Sequence, residues 1–266
     1  MAGGVATPLA EVPFGEYAAI YDLIYRDKDY AAESAFVDSL IRLHRSPGAG
    51  RTVLDLACGT GRHLFELAGL GYDGEGSDIS ADMISVARDS ARRRGMSMTF
   101  YNESFQSCGR IGRTYDVALA LFASLGYLTA KGDVVNAFRD IRGLLAPGGL
   151  LVFDVWNGLA VVRDFTPRKI RKAEGQGLSV ERVSLTELVE VAQVASVNFH
   201  FTVVRPGAVT RTFEELHRVR FFFPADLRDI LHSTGFEVVG MCPFLEPNSP
   251  LSPQNWNMTF VARRVS

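Results

Sequence analysis

Between residues 52 and 156 short strand candidates alternate with segments of helical periodicity, and that alternation constrains the fold more than any other feature of the chain. The strand candidates fall at 52–57, 72–78, 98–102, 115–120 and 150–156, most of them near-continuously apolar. The segments between them, 63–70, 81–94 and 133–145, repeat apolar residues at helical spacing. A strand that lacks polar alternation has both faces buried, and a parallel sheet covered by helices on both sides provides that burial. A helix at 224–233 stops at Gly235, and strands at 236–241 and 257–263 follow. The expected fold class is α/β, a doubly wound, mostly parallel sheet of seven strands.

Two regions depart from this pattern. From 15 to 45, Tyr17, Ile20, Tyr21, Ile24 and Tyr25, then Phe36, Leu40 and Ile41, recur at helical spacing until Ser46-Pro47-Gly48-Ala49-Gly50 ends the run. The small-residue stretch 1–13 reads as a tail. Beyond Val162, segments 178–190, 191–205 and 210–223 are rich in Val, Thr, Phe and Arg with partial period-two alternation, and Pro206-Gly207 supplies a turn. These predict antiparallel strands inserted into the α/β domain. The division is a helical cap (1–45), a cofactor-binding α/β core (46–162), an antiparallel β insertion (163–223) and a C-terminal completion of the core (224–266). The insertion reads as a lid, as an interface for a homo-oligomer, or as a plain extension of the sheet.

Charge excludes one class of partner. The formal net charge is −2, and the dense basic clusters are Arg92-Arg93-Arg94 and the run 168–172. Neither reaches the single-sign footprint that neutralises many phosphates, so a small molecule is expected and nucleic acid is not. No apolar run approaches the ~18 residues that span a bilayer, so no membrane partner is expected. Cys58, Cys108 and Cys242 are odd in number and lack metal-ligand spacing, which suits a reducing, cytoplasmic compartment.

The chemistry concentrates where the first strand meets its helix, at Val53-Leu54-Asp55-Leu56-Ala57-Cys58-Gly59-Thr60-Gly61-Arg62-His63. Gly59 and Gly61 permit positive φ and close approach of a ligand. The dinucleotide fingerprint fails, because its third glycine falls on Leu64. Asp55, placed before the loop, suits a cationic amino-acid ligand. Asp78 ends the second strand, where a carboxylate takes both ribose hydroxyls; its plainer role is a helix N-cap.

These residues carry a resemblance. Leu54-Asp55-Leu56-Ala57-Cys58-Gly59-Thr60-Gly61-Arg62 resembles the first motif of class I S-adenosylmethionine-dependent methyltransferases, and Ser77-Asp78-Ile79-Ser80-Ala81-Asp82-Met83 resembles their second. The stretch from Leu144 through Pro147-Gly148-Gly149 to Asp154 is similar to the turn before their fifth strand, and the final strands fit their reversed β-hairpin. The resemblance implies a Rossmann-like methyltransferase fold and S-adenosyl-L-methionine as cofactor, leaving S-adenosyl-L-homocysteine. It implies that Asp55, Ala57 and Gly59 face the methionine part, Asp78 the ribose, Met83 and Glu103 the adenine, and Leu121 and Phe122 the sulfonium, with Gly61, Ile79 and Ser104 among the other cofactor contacts. The family more often has Asp after Gly where this chain has Glu103. Met83 fits equally well as helix core.

The end of the fourth strand, Ala120-Leu121-Phe122-Ala123-Ser124-Leu125-Gly126-Tyr127, lacks the Asn/Asp-Pro-Pro-aromatic motif of enzymes that methylate planar amino groups. No acid stands there to ligate magnesium, since Asp116 opens the strand, and no metal is expected. Residues 17–30, 122–127, 153–160 and 215–224 resemble methyltransferases acting on amino sugars and related antibiotic precursors. Some relatives carry His where this chain has Tyr127. By that resemblance Tyr17 and Tyr127 reach the acceptor, Tyr25 belongs with the cofactor and Tyr21 with the substrate. Asn157, just beyond the fifth strand at the sheet's C-terminal edge, is placed with the substrate by position, and Trp156 either stacks on a sugar ring or belongs to the core. Tyrosines, with reference pKa values of about 10, suit orientation, whereas His63 and His217, at about 6.5, suit proton acceptance. Packing accounts equally for Tyr17 and is the plainer account of Tyr21 and Tyr25, as a solvent-facing position is of either histidine. The expected activity is transfer of a methyl group to an amino group of a small, sugar-like molecule. O-methylation of a sugar or natural-product hydroxyl and a non-catalytic cofactor-binding scaffold are the alternatives.

Overall fold

The computed structural model describes residues 17–175, 177–207 and 210–265. The tail expected at 1–13 lies outside them. Its elements are α1 (Ala18–Ile24), α2 (Tyr30–His44), β1 (Thr52–Asp55), α3 (Arg62–Gly69), β2 (Asp73–Ser77), α4 (Ala81–Arg93), β3 (Phe100–Tyr101), β4 (Tyr115–Ala120), α5 (Lys131–Gly143), β5 (Leu145–Trp156) and α6 (Gly158–Asp164). They continue with β6 (Arg168–Gly175), β7 (Leu178–Val189), β8 (Val194–Val204), β9 (Arg211–Arg220), α7 (Pro224–Ser233), β10 (Phe236–Pro243) and β11 (Asn257–Arg264).

Seven strands form one sheet in the order β10-β11-β5-β4-β1-β2-β3. The order reverses between β1 and β4, both parallel to their neighbours: Asp55 stands opposite Gly76 of β2 on one side and Leu119 of β4 on the other. Open α/β sheets bind ligands at such a switch point, outside the carboxyl ends of the strands. The sheet is buried on both faces. Phe138 and Phe153 are among the side chains packed on one side, and Leu64, Ile84 and Val117 on the other. Asp116 stitches the opposite end, accepting from Thr52 N–H and Oγ1 and from Gly50 N–H. The acid that opens β4 is therefore structural.

Local signals start the helices. Asp29 caps α2 by accepting from Ala32 N–H, Ser80 caps α4 by accepting from Met83 N–H, and Pro224 begins α7. The cap of α4 is thus Ser80 and not Asp78, which leaves Asp78 for the switch point.

The insertion is a second, antiparallel sheet in the order β6-β7-β8-β9. Its first strand and α6 were not among the expected elements. Strand β6 is charged and largely exposed, so it lacks the apolar alternation that marks a strand. The cap packs on this sheet: Tyr17, Ile20 and Ile24 share a buried cluster with Ala173, Val180 and Phe201. No helix among the described residues is long and apolar enough to cross a membrane.

Candidate functional site

A cavity of about 750 Å³ opens at the switch point, within the range of small-molecule sites. Its floor is backbone geometry. Gly59 and Gly61 both adopt positive φ, +52° and +82°, and a Cβ on Gly61 would lie 3.0 Å from the Phe65 ring. Asp78 fixes the loop by accepting from Gly59 N–H and Ser80 N–H, each at 2.9 Å. Burial raises its pKa, and those two hydrogen bonds oppose the rise. Ala57, Gly59, Asp78, Ile79, Met83, Ser104, Leu121 and Phe122 all line the cavity.

Three expected cofactor residues stand elsewhere. Gly61 turns the chain into α3 and packs against aromatic rings, outside the lining. Asp55 is fully buried next to the lining residues Leu56 and Ala57, and burial pushes its carboxyl up to about 7. Glu103 points to Arg110 at 3.8 Å and is absent from the lining.

The rim of the floor holds a strained turn. Phe122 and Ala123 have φ of 61° and 55°, a conformation non-glycine residues seldom adopt. Asp154, wholly buried on β5, accepts from Phe122 N–H at 2.6 Å and Ala123 N–H at 3.0 Å. Burial brings its carboxyl up to about 7. This carboxylate holds in place the loop that carries Phe122 and Tyr127.

The roof comes from the cap and the insertion. Arg182 on β7 donates to Tyr17 Oη at 2.8 Å and Tyr25 Oη at 2.9 Å, and lies over the Phe199 ring. Burial drives the Tyr17 hydroxyl well above its ordinary pKa. Tyr21 packs between Tyr17 and Tyr25, with ring centroids 5.4 and 4.7 Å away. His217, expected at a site or facing solvent, is 1% exposed and lines the cavity. Its Nδ1 is 2.8 Å from Tyr127 Oη and its Nε2 is 3.1 Å from Glu215 Oε2. His63 also reaches the lining, but its Nε2 is committed to Glu33 at 2.8 Å, and burial lowers its pKa. The same Glu33 oxygen pairs with Lys28 at 2.6 Å.

Of the expected substrate residues, Tyr21 and Trp156 line the cavity, and Asn157 does not. Asn157 is fully buried: its Nδ2 donates to Ser252 O and Asn255 O, and its Oδ1 caps α6 through Leu159 N–H. Arg182, Glu215 and the clamping role of Asp154 were missed. Only the cross-strand register places Glu215 opposite Phe199 and Arg182 opposite Phe201. The alternation in 210–223 was the one signal that put residues 215 and 217 on a common face.

A methyltransferase-domain family model matches residues 53–149. Over 226 residues the chain is 31% identical to the dTDP-3-amino-3,4,6-trideoxy-alpha-D-glucopyranose N,N-dimethyltransferase of Streptomyces venezuelae, spanning 84% of this chain and 91% of that one. The chain belongs to the class I S-adenosylmethionine-dependent methyltransferases. Among solved structures, DesVI of Streptomyces venezuelae aligns with 28% identity and a TM-score of 0.77, over 97% of this chain and 100% of that one. A sugar N-methyltransferase from a Streptoalloteichus species aligns with a TM-score of 0.80 at 24% identity, over 100% and 99%. The latter likeness concerns the fold.

The methyltransferase's cofactor is S-adenosylmethionine, and the residues present fit it. Asp78 keeps lone pairs for ribose hydroxyls beyond its two backbone bonds. Arg62 lines the cavity with a buried Nε that has no hydrogen-bond partner among the described residues, as a carboxylate site requires. Leu121 and Phe122 give an apolar flank, suited to a cationic sulfonium that needs no hydrogen bond.

Proposed function

We propose that this methyltransferase transfers a methyl group from S-adenosylmethionine to an amino group of a sugar-like small molecule. The observation that carries the reading is the reach of its likeness to amino-sugar N,N-dimethyltransferases. It covers 84% of this chain for one relative and 78% for a second from Streptomyces fradiae, well beyond the common cofactor domain. The cavity supports it, because its floor accounts for a nucleoside and amino acid while its roof is aromatic, as a sugar face prefers.

In this reading Asp78 holds the ribose, Ile79, Met83 and Ser104 flank the adenine, and Ala57, Gly59, Lys28 and Arg62 hold the methionine end. When bound, the cofactor supplies a carbon already activated for displacement. The protein then has mainly to align the acceptor nitrogen, and orientation alone supplies on the order of 7–11 kcal/mol. Tyr17, Tyr25 and Tyr127 orient the acceptor. Burial raises Tyr17 and Tyr127 further above neutrality, so neither serves as a free-standing base. Residues 1–45, 46–162, 163–223 and 224–266 act as cap, cofactor core, lid and core completion. The lid excludes water. A reducing, cytoplasmic setting suits the three free, buried cysteines.

A hydroxyl acceptor is the second reading, favoured by one observation: His217 lines the cavity with a carboxylate behind it, as deprotonating an alcohol requires. Titration calorimetry with S-adenosylmethionine and S-adenosylhomocysteine, then product analysis with dTDP-linked amino sugars and their hydroxyl analogues, separates the readings. Binding with an N-methylated product supports the first; methylation of the hydroxyl analogue alone supports the second. Absence of cofactor binding defeats both.

A further inference from the structure

Tyr127, His217 and Glu215 lie in one hydrogen-bonded line that runs from the cavity into the buried insertion sheet. Tyr127 comes from the turn after β4 and is half-buried at the lining. His217 and Glu215 come from β9, two residues apart and therefore on the same face. Both are nearly inaccessible, at 1% and 3% exposure. The Phe199 ring stands 4.5 Å from the imidazole centroid and shields it. Among the described residues, titratable or charged groups facing the line are Tyr17, Tyr21 and Tyr25 from the cap, Arg182 from β7, and Asp78 beyond β2.

The direction of each hydrogen bond follows from the last member. A glutamate carboxylate only accepts. Glu215 Oε1 accepts from Tyr17 N–H at 3.3 Å, and Oε2 sits 3.1 Å from His217 Nε2. The imidazole therefore carries its proton on Nε2 and donates it to Glu215. Its Nδ1 is left with a lone pair, which accepts from the Tyr127 hydroxyl at 2.8 Å. With a neutral imidazole, reversing either bond would set two lone pairs or two protons against each other.

We infer that Tyr127, His217 and Glu215 form a proton relay, with Tyr127 as the catalytic contact to the acceptor and His217 and Glu215 as positioning residues behind it. The inference rests on the reading of an amine acceptor. An amine that attacks the methyl carbon forms its N–C bond with its own lone pair, while the S–C bonding pair stays on sulfur. The nitrogen is then a methylammonium and has one proton to lose. That proton passes to Tyr127 Oη as the tyrosine's own proton passes to His217 Nδ1, giving an imidazolium whose charge faces the Glu215 carboxylate. Tyrosinate never accumulates, in keeping with the upward pressure of burial on the Tyr127 hydroxyl. A second methyl transfer to the same nitrogen needs the relay again, after the imidazolium has released its proton to solvent between turnovers.

The experiment reads the tautomer directly. In the full chain saturated with S-adenosylhomocysteine, ¹⁵N-histidine NMR, assigned with a His217→Gln variant, should show His217 protonated on Nε2. Glu215→Gln keeps the shape and the acceptor for Tyr17 N–H but turns an amide donor toward Nε2, which moves the proton to Nδ1. For dTDP-3-amino-3,4,6-trideoxy-α-D-glucopyranose, kcat should then fall at least tenfold, within the usual reach of general acid–base catalysis. KM and cofactor affinity should stay within about twofold. Tyr127→Phe, which leaves the strand intact, should lower kcat similarly. A wild-type His217 protonated on Nδ1, or both variants turning over at the wild-type rate, overturns the relay. An inactive wild type overturns the amino-sugar acceptor alone, and the tautomer still decides the relay.

Discussion

The two sheets divide the work of the site in different ways. The seven-stranded sheet is buried on both faces and contributes its strand ends, where the backbone turns sharply at Gly59, Gly61, Phe122 and Ala123. The four-stranded sheet turns one face to the cavity and contributes alternate side chains, Arg182 and Ser184 from β7, Val197 and Phe199 from β8, His217 and Val219 from β9. Backbone geometry suits a cofactor that is the same for every member of the family. Side chains on a pleated surface can change one by one without disturbing the ladder, which suits an acceptor that differs between members. The comparison teaches where to mutate to test the proposed roles: the first sheet for cofactor binding, the second for choice of acceptor and for proton handling.

The largest expected effect lies in the first sheet, at the carboxyl of Asp55 buried behind the cavity lining. Asp55 has a folded-state pKa of about 7, raised by burial, against about 3.9 for an exposed aspartate. Below pH 4 the group is protonated in both folded and unfolded chains, and its contribution to stability is fully present. As pH rises toward 7 the unfolded chain releases the proton first, so stability falls through this window and levels off above it. Each pH step between the two values is worth about 1.4 kcal/mol, so the loss amounts to a few kcal/mol. Asp55→Asn lacks that titration. Denaturant unfolding of the cofactor-free proteins at pH 5 and pH 8 should show the wild type losing stability relative to the variant. A difference that does not change with pH would mean that Asp55 is not strained by its burial.

Much of the first sheet was legible in the sequence and little of the second sheet's chemistry. Strand β4 and helix α7 fall at the residues expected, 115–120 and 224–233, because buried strands and capped helices are specified by neighbours in the chain. Asp78, Gly59 and Ala57 line the cavity for the same reason: the loop and the strand end that place them are local. Asp55 and Gly61 also sit at the loop but behind its surface, Asp55 by the direction of its side chain and Gly61 by the turn of the backbone into α3, and periodicity resolves neither. Arg182, Glu215 and Asp154 depend on contacts across 32 to 198 residues, from Asp154 to Phe122 and from Glu215 to Tyr17. Pairing register alone brings them in, and a one-residue slip would turn Glu215 and His217 to the other face. Asn157 erred the other way: its position beyond β5 suggested a ligand contact, whereas its amide closes the loop at 252–255.

The division also predicts a clean effect at Asp78. Its carboxylate fixes the glycine loop and faces the cavity. Asp78→Ala should weaken S-adenosylmethionine binding by roughly 1.5–3 kcal/mol, the range for hydrogen bonds to charged groups. The His217 tautomer, read by the same nitrogen spectra, should be unaffected. Equal affinity of variant and wild type in calorimetry would remove Asp78 from the cofactor site and return it to holding the loop.

The smallest expected effect tests whether the two sheets act as one unit. Gly126 lies in the turn after β4, where a Cβ would come within 2.7 Å of Val219 Cγ1 and 2.9 Å of Arg220 O on β9. The valine methyl can shift, but the backbone oxygen cannot without moving the strand. Gly126→Ala should therefore cost about 1–3 kcal/mol of stability, as overpacking does, and displace β9 from the turn that carries Tyr127. Because Gly59, Gly61 and Asp78 belong to other loops, cofactor affinity should hold while kcat falls. Should affinity and turnover fall together, the roof and floor of the cavity are coupled through this contact, and the assignment of cofactor to one sheet and acceptor to the other would have to be abandoned.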